Sequence, residues 1–211
     1  YRGREGNKAY FFAHNNKLEL IWTIIPTIVL TGVIIFGLRT WNEAMNADFS
    51  NSKVIEVYGK QFQWSARYSG EDNTLGESNY KLISASNALG INMSDNYSLD
   101  DKIAREVHLV VDQPVLLKFR SQDIIHSAFL PHFRVQMNCV PGTTTQFAFT
   151  PTITSESMKK EVENDLFEYV LLCNKICGNA HYNMQMKVIV ETEEEYNSWL
   201  KEQSVNKIAN L

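Results

Sequence analysis

From Leu20 to Leu38 the chain reads LIWTIIPTIVLTGVIIFGL, nineteen residues without a charge. As an α-helix this run spans roughly 28 Å, close to the ~30 Å hydrocarbon core of a bilayer. Pro26, Gly32 and Gly37 would weaken a helix in water but are tolerated in a membrane helix. Trp22 and Trp41 lie near its two ends, where amphipathic aromatics favour the lipid–water interface. The competing reading is the core helix of a soluble domain, but such helices are usually shorter or apolar on one side. The sequence therefore predicts a membrane-spanning helix over residues 18–41, with lipid as one partner.

Charge orients it. Arg2, Arg4, Lys8 and Lys17 precede the run, and Arg39, Glu43 and Asp48 follow it. The positive-inside rule assigns residues 1–17 to the cytoplasm and residues 42–211 to the outside, in a bacterial periplasm or its equivalent. Residues 1–40 carry five basic and two acidic side chains, a net +3; the remainder carries fifteen and twenty-two, a net −7. That balance argues against a nucleic-acid binder. It suits a basic protein partner, or simply a soluble acidic surface. The length of 211 residues fits one domain plus a smaller element. The chain opens at Tyr1 rather than Met, as a processed or truncated chain would, and its polar, basic start does not form a signal peptide.

The outer part reads as mainly β. Segments rich in β-branched and aromatic residues recur between turn signals at Lys53–Tyr58, Lys60–Tyr68, Arg105–Val111, Val115–Arg120, Thr143–Thr150, Phe167–Cys173 and Met184–Glu191. About seven short strands predict a sandwich or barrel. Ser69–Asp101, rich in Asn, Ser, Gly and Asp, reads as a long surface excursion. Ser155–Asn164 reads as a short connecting helix. A last helix opens at Thr192, with Glu195 completing a capping box and Tyr196, Trp199 and Leu200 forming its buried stripe.

The chemistry concentrates in Cys173-Asn-Lys-Ile-Cys177-Gly-Asn-Ala-His181-Tyr-Asn-Met184. Two thiols, an imidazole and a thioether within twelve residues suit copper. One Cys, His and Met would suggest a single blue copper. The second thiol makes two coppers bridged by two sulfurs possible, with His126 supplying a ligand from elsewhere in the chain. Three alternatives stay open on spacing alone: a Cys173–Cys177 disulfide, a Cys2His2 zinc site, and a thiol nucleophile paired with His126. Zinc does not call for Met184, and a disulfide calls for neither His181 nor Met184. Met186 shares a strand face with Met184 and reads as core. Cys139, His108, His132 and His14 read as structural or surface residues.

Several ordered motifs give the chain a resemblance to cytochrome c oxidase subunit II over nearly its whole length. Leu18-Glu19-Leu20-Ile21-Trp22-Thr23-Ile24-Ile25-Pro26 resembles the start of that family's second membrane helix, and Gly59-Lys60-Gln61-Phe62-Gln63-Trp64 its aromatic segment. Asp123–Ser127 and Val140-Pro141-Gly142 resemble its first ligand loop and the turn beyond, and Cys173–Met184 its CuA loop. The resemblance implies a cupredoxin-like Greek-key sandwich or barrel anchored by an N-terminal membrane helix. It implies a dinuclear CuA centre of two coppers, with Cys173 and Cys177 bridging both. His126 and Met184 would complete one copper, and His181 with the carbonyl of Lys175 the other. Electrons would come from cytochrome c or a similar c-type donor, through Phe62 and Trp64. They would go to haem in subunit I, where oxygen is reduced to water with proton translocation; subunit III is a further partner. Glu19 would stand at the entrance of a proton pathway.

Two departures bear on this. The family's loop has Glu where this chain has Lys175, and that Glu helps hold a magnesium ion at the subunit I boundary, so the magnesium is in doubt here. The aromatic segment usually begins with Trp, where this chain has Phe62. The family's first membrane helix would lie ahead of Tyr1. The implied location is a bacterial inner membrane with the outer domain in the periplasm, or alternatively the mitochondrial inner membrane. Three other readings fit less well. A stand-alone anchored cupredoxin carrier would lack a haem partner. Nitrous oxide reductase needs a second copper domain. A quinol oxidase subunit II keeps the fold without the ligands. No CxxCH motif is present, so no c-type haem is attached to the chain.

Overall fold

The computed structural model describes residues 5, 6, 8, 11, 13–45 and 50–203. Arg2, Arg4 and Asp48, part of the charge argument above, lie outside them. The chain divides into two units, residues 1–47 and 48–211.

Among the described residues, the first unit holds one helix, α1 (Asn16–Met45), six residues longer than the span expected from hydropathy. None of its residues is buried, and apolar side chains are exposed on all sides, Leu20, Ile28, Val33 and Phe36 among them. Such a helix has no stable place in water, since no face is left for solvent. Its start is capped reciprocally: Asn15 Oδ1 accepts the Leu18 N–H at 3.0 Å, and Glu19 Oε1 accepts the Asn15 N–H at 3.2 Å. Thr27 and Thr31 donate their hydroxyls to the carbonyls of Thr23 and Thr27, which satisfies those two hydroxyls inside the apolar stretch.

The second unit packs two five-stranded sheets face to face. The strands are β1 (Lys53–Lys60), β2 (Gln63–Tyr68), β3 (Lys102–Ala104), β4 (Val107–Val110), β5 (Val115–Ser121), β6 (His126–Leu130), β7 (Val135–Cys139), β8 (Thr145–Phe149), β9 (Tyr169–Cys173) and β10 (Gln185–Glu191). One sheet runs β3-β2-β1-β5-β8 and the other β4-β10-β9-β6-β7. Neighbours are antiparallel except β1 with β5 and β10 with β4. Inward positions alternate along each strand: Ile55 and Val57 on β1, Val115, Leu117 and Phe119 on β5, Tyr169 and Leu171 on β9, Val188 and Val190 on β10. This is the mainly β, cupredoxin-like sandwich expected, preceded by one apolar helix.

The element count differs from expectation. β3, β6 and β7 were not anticipated: β3 has three residues, and β6 and β7 have five each with polar residues interleaved. The segment expected as one strand over Lys60–Tyr68 begins only at Gln63, because Gln61 and Phe62 form the turn of the β1–β2 hairpin. Likewise β10 begins at Gln185, one residue after Met184. The Ser69–Asp101 segment is not a simple surface excursion. Leu89 and Ile91 are fully buried against Tyr58, and Asp101 is buried as well. Arg67, itself buried, donates to Asp101 and to the Gly76 carbonyl, and lies 3.6 Å from Glu56. A buried arginine needs such partners, and they bind this segment to the outer face of the first sheet.

Two helices complete the unit, α2 (Ser155–Glu161) and α3 (Glu193–Glu202). α3 carries the expected capping box, with Thr192 and Glu195 each satisfying the other's backbone N–H. Tyr196 is buried, and Trp199 stacks on His108 with ring centroids 3.6 Å apart.

Candidate metal centre

The donors gather at one end of the second sheet. Cys173 is the last inward residue of β9, and Met184 precedes β10. The Cys173 N–H donates to the Met184 carbonyl at 3.0 Å, so the two residues close the mouth of a β9–β10 connection. Residues 174–183, between them, hold Lys175, Cys177 and His181. His126 is the first residue of β6, which pairs with β9 through Ala128 and Cys173. Three adjacent strands of one rigid sheet thus fix three donors, and the connecting loop supplies the others.

Cys173 Sγ and Cys177 Sγ are 3.7 Å apart, and both cysteines are free thiols, so the disulfide alternative is not the state of this structure. His126 Nδ1 lies 3.8 Å from Cys173 Sγ, and the Lys175 carbonyl oxygen 3.2 Å from it. Around Cys177 Sγ stand His181 Nδ1 at 3.6 Å and Met184 Sδ at 3.7 Å. Among the described residues, the group whose ligand atoms all lie within 4.8 Å of one another is His126, Cys173 and Cys177, every one buried. Burial pushes the Cys177 thiol up to about 11, the neighbouring Cys173 adding to the effect. Such a thiol stays protonated at neutral pH unless a cation takes the proton's place. Soft sulfur, imidazole nitrogen and a carbonyl gathered around two buried thiols fit copper.

Groups behind the donors hold them in place. Asp123 Oδ1 lies 2.8 Å from His126 Nε2, which sets Nε2 as the protonated nitrogen and turns Nδ1 toward the thiols. Gln61 Nε2 donates to the Cys177 carbonyl at 2.6 Å. Trp64, buried on β2, donates to the Met184 carbonyl at 3.4 Å and meets the His126 ring edge-on, centroids 5.8 Å apart. Phe62 is half-buried and lies against Gly178, whose φ is +133°. Lys175 is exposed, and its carbonyl faces Cys173. Glu19 lies in the helical unit and serves the cap of α1. Asp123 and Gln61 were part of the sequence motifs but had no assigned role; the partners of Gln61 are remote in sequence, and the turn that brings Asp123 onto His126 is set by the fold.

The other residues take structural places. His108 is buried between Glu191 and Glu106, and His132 packs on Phe167 and Tyr169. Cys139 is fully buried, its thiol pushed up to about 12 by burial. Met186 belongs to the core, and His14 is exposed.

A two-sheet cupredoxin-like domain with a thiol-rich donor cluster, preceded by an apolar helix long enough to span a bilayer, defines a class: the membrane-anchored cupredoxins. Within that class, the model for the periplasmic domain of cytochrome c oxidase subunit II matches residues 53–192, and the model for the transmembrane domain of the same subunit matches residues 1–40. The chain belongs to the cytochrome c oxidase subunit II family. It is 33% identical over 205 residues to the alternative cytochrome c oxidase subunit 2 of Bradyrhizobium diazoefficiens, covering 96% of this chain and 69% of that one. It is 29% identical over 206 residues to the cytochrome c oxidase subunit 2 of Cereibacter sphaeroides, covering 90% and 62%. Among solved structures it is similar to the periplasmic domain of subunit II of the Bradyrhizobium japonicum cytochrome oxidase, at 23% identity and a TM-score of 0.49 over 72% of this chain and 93% of that one.

Proposed function

We propose that the chain is the electron-entry subunit of a cytochrome c oxidase, taking electrons from a c-type cytochrome and delivering them to haem in subunit I. Residues 42–211 then face the periplasm and residues 1–17 the cytoplasm. Cys173 and Cys177 would hold two coppers, which would supply a one-electron relay.

The observation that carries this reading is the division of the donors around the two thiols. A single tetrahedral metal bound by thiolates draws its sulfurs to about 3.8 Å from one another and all four donors into one shell. Here His126, Cys173 and Cys177 form one mutual group, and His181 joins from the Cys177 side. With the His126 nitrogen and the Lys175 carbonyl at Cys173, and the His181 nitrogen and the Met184 thioether at Cys177, the donors divide between the two sulfurs, which suits two metals better than one. The thioether of Met184 and the carbonyl of Lys175 also stand against the thiols, and a Cys2His2 zinc site needs neither. In the ligand split that the family resemblance implies, His126 and Met184 would hold one copper, and His181 and the Lys175 carbonyl the other.

The chain's own residues do the rest. Half-buried Phe62 offers aromatic surface for electron entry, and buried Trp64, against Met184 and His126, carries the path inward. Ile125, Ile176 and Tyr182, strongly exposed beside the ligands, give a partner protein apolar surface to exclude water. Glu19, on the cytoplasmic side, stands at the entrance of a proton pathway. The family's magnesium does not fit: an exposed lysine ammonium stands where a carboxylate would be needed.

Metal analysis of the full-length chain, purified in detergent and loaded with copper, tests the reading. The expected result is two coppers per chain, with Met184→Leu still binding both. One copper, or zinc retained in preference to copper, contradicts it.

A further inference from the structure

Gln61 sits at the tip of the β1–β2 hairpin, on the sheet opposite the ligands, yet its backbone N–H and its side-chain amide each donate to a ligand loop. Its backbone N–H donates to Asp123 Oδ2 at 2.7 Å, 62 residues away in sequence. Its side-chain amide donates to the Cys177 carbonyl at 2.6 Å, 116 residues away. An exposed glutamine could satisfy its amide with water at almost no cost, so a short bond to a remote carbonyl marks a built contact.

Both acceptors lie next to the centre of the site. Cys177 Sγ stands within 3.7 Å of Cys173, His181 and Met184, so fixing its backbone fixes the sulfur common to three donors. Asp123 is fully used: Oδ2 takes Gln61, while Oδ1 takes the Ile124 N–H at 2.7 Å and faces His126 Nε2 at 2.8 Å. Gly178, just after Cys177, has φ +133°, and a Cβ there would come within 2.7 Å of the Phe62 ring and 2.9 Å of Gln61 Nε2. The hairpin tip is therefore seated on the loop in the space a side chain would fill.

We propose that Gln61 and Asp123 form a positioning unit for the metal site. Asp123 fixes the His126 tautomer with Nδ1 toward the thiols. Gln61 ties Asp123 and Cys177 to one hairpin turn, so the two ligand loops keep a single geometry without metal. The inference rests on reading the site as metal-binding. Neither residue is a ligand.

The test uses the full-length chain in detergent, first without metal. Loss of one hydrogen bond at the Cys177 carbonyl should raise hydrogen exchange of residues 177–181 about tenfold in Gln61→Ala. The rest of the second sheet should exchange as before. Gln61→Lys, which restores a donor of similar reach, should return most of the protection. In Asp123→Ala, the imidazole nitrogen shifts of His126 should change from a single Nε2–H tautomer to a mixture. After copper loading, both alanine variants should show a shifted midpoint potential and a broadened spectrum. If Gln61→Ala does not fold, Gln61→Glu, which keeps the shape but removes the donor, serves the same test. Unchanged loop exchange together with an unchanged His126 tautomer overturns the proposal, and so does exchange raised uniformly through the domain, the mark of a general structural role. Copper stoichiometry of the unaltered chain tests the metal reading, and the metal-free measurements test the positioning unit, so the two can fail separately.

Discussion

At the scale of single residues, chemical type and environment decide which side chains the site can use. Cys173, Cys177 and Cys139 are all buried thiols, but two converge with nitrogen and sulfur donors and the third is enclosed by core. Cys173→Ser or Cys177→Ser should therefore abolish the copper spectrum, while Cys139→Ala should leave it unchanged; copper-bound spectra of the three variants check this. Arg67 makes a different prediction. Replacing it with Met leaves Asp101 buried without its cation and Glu56 with Arg120 alone, a loss of about 3–5 kcal/mol in denaturant unfolding. The loss should depend on pH. Burial raises the Asp101 carboxyl above its ordinary value, with Arg67 opposing. The folded state thus holds that proton more tightly than the unfolded chain, so its contribution is present at acid pH and lost as pH rises through the folded value. Without Arg67 the folded value rises further, and the variant should lie nearest the parent in stability at acid pH. A loss independent of pH would show that lost packing, rather than stranded charge, causes it.

At the scale of elements, the site depends on connections rather than strands. Gly178→Ala should unseat the β1–β2 turn, because φ of +133° and the Phe62 ring both refuse a side chain; weaker copper binding with the sheets intact is the expected outcome. Thr192→Ala should remove one arm of the α3 capping box and cost about 1 kcal/mol in thermal unfolding, with no change at the metal site. The same contrast explains what the sequence made legible. α1, the α3 cap and strands such as β5 announce themselves because their signals are local: an uncharged run, a Thr-x-x-Glu, an alternating apolar face. The donors were legible because Cys, His and Met at close spacing have few other uses. β6 and β7 were not, since five residues with polar ones interleaved carry too little pattern. The Ser69–Asp101 segment is the largely exposed excursion expected, but its anchors were not legible: Leu89, Ile91 and Asp101 are buried within it, and Arg67 reaches it only in the folded chain. Gln61 escaped for the same reason: its two acceptors are brought to it only by the tertiary structure.

At the scale of the whole molecule, the chain joins an apolar helix to an acidic, donor-bearing sandwich. If the net −7 beyond residue 40 steers a basic donor, electron entry should slow as salt shortens the Debye length to about 8 Å and below, and stopped-flow rates across ionic strength check this. A salt-independent rate would remove electrostatic docking from the account. Phe62→Ala should slow entry while leaving the copper spectrum unaltered, since Phe62 covers the loop without ligating. If Phe62 serves only packing, the variant loses stability, up to about 3–5 kcal/mol for a buried Phe, with entry unchanged. The central claim is that two thiols hold two metals as one unit. An electron paramagnetic resonance spectrum of the copper-loaded full-length chain tests it most directly. The account predicts one unpaired electron shared equally by two coppers, seen as hyperfine splitting from both nuclei; splitting from a single copper nucleus would contradict it.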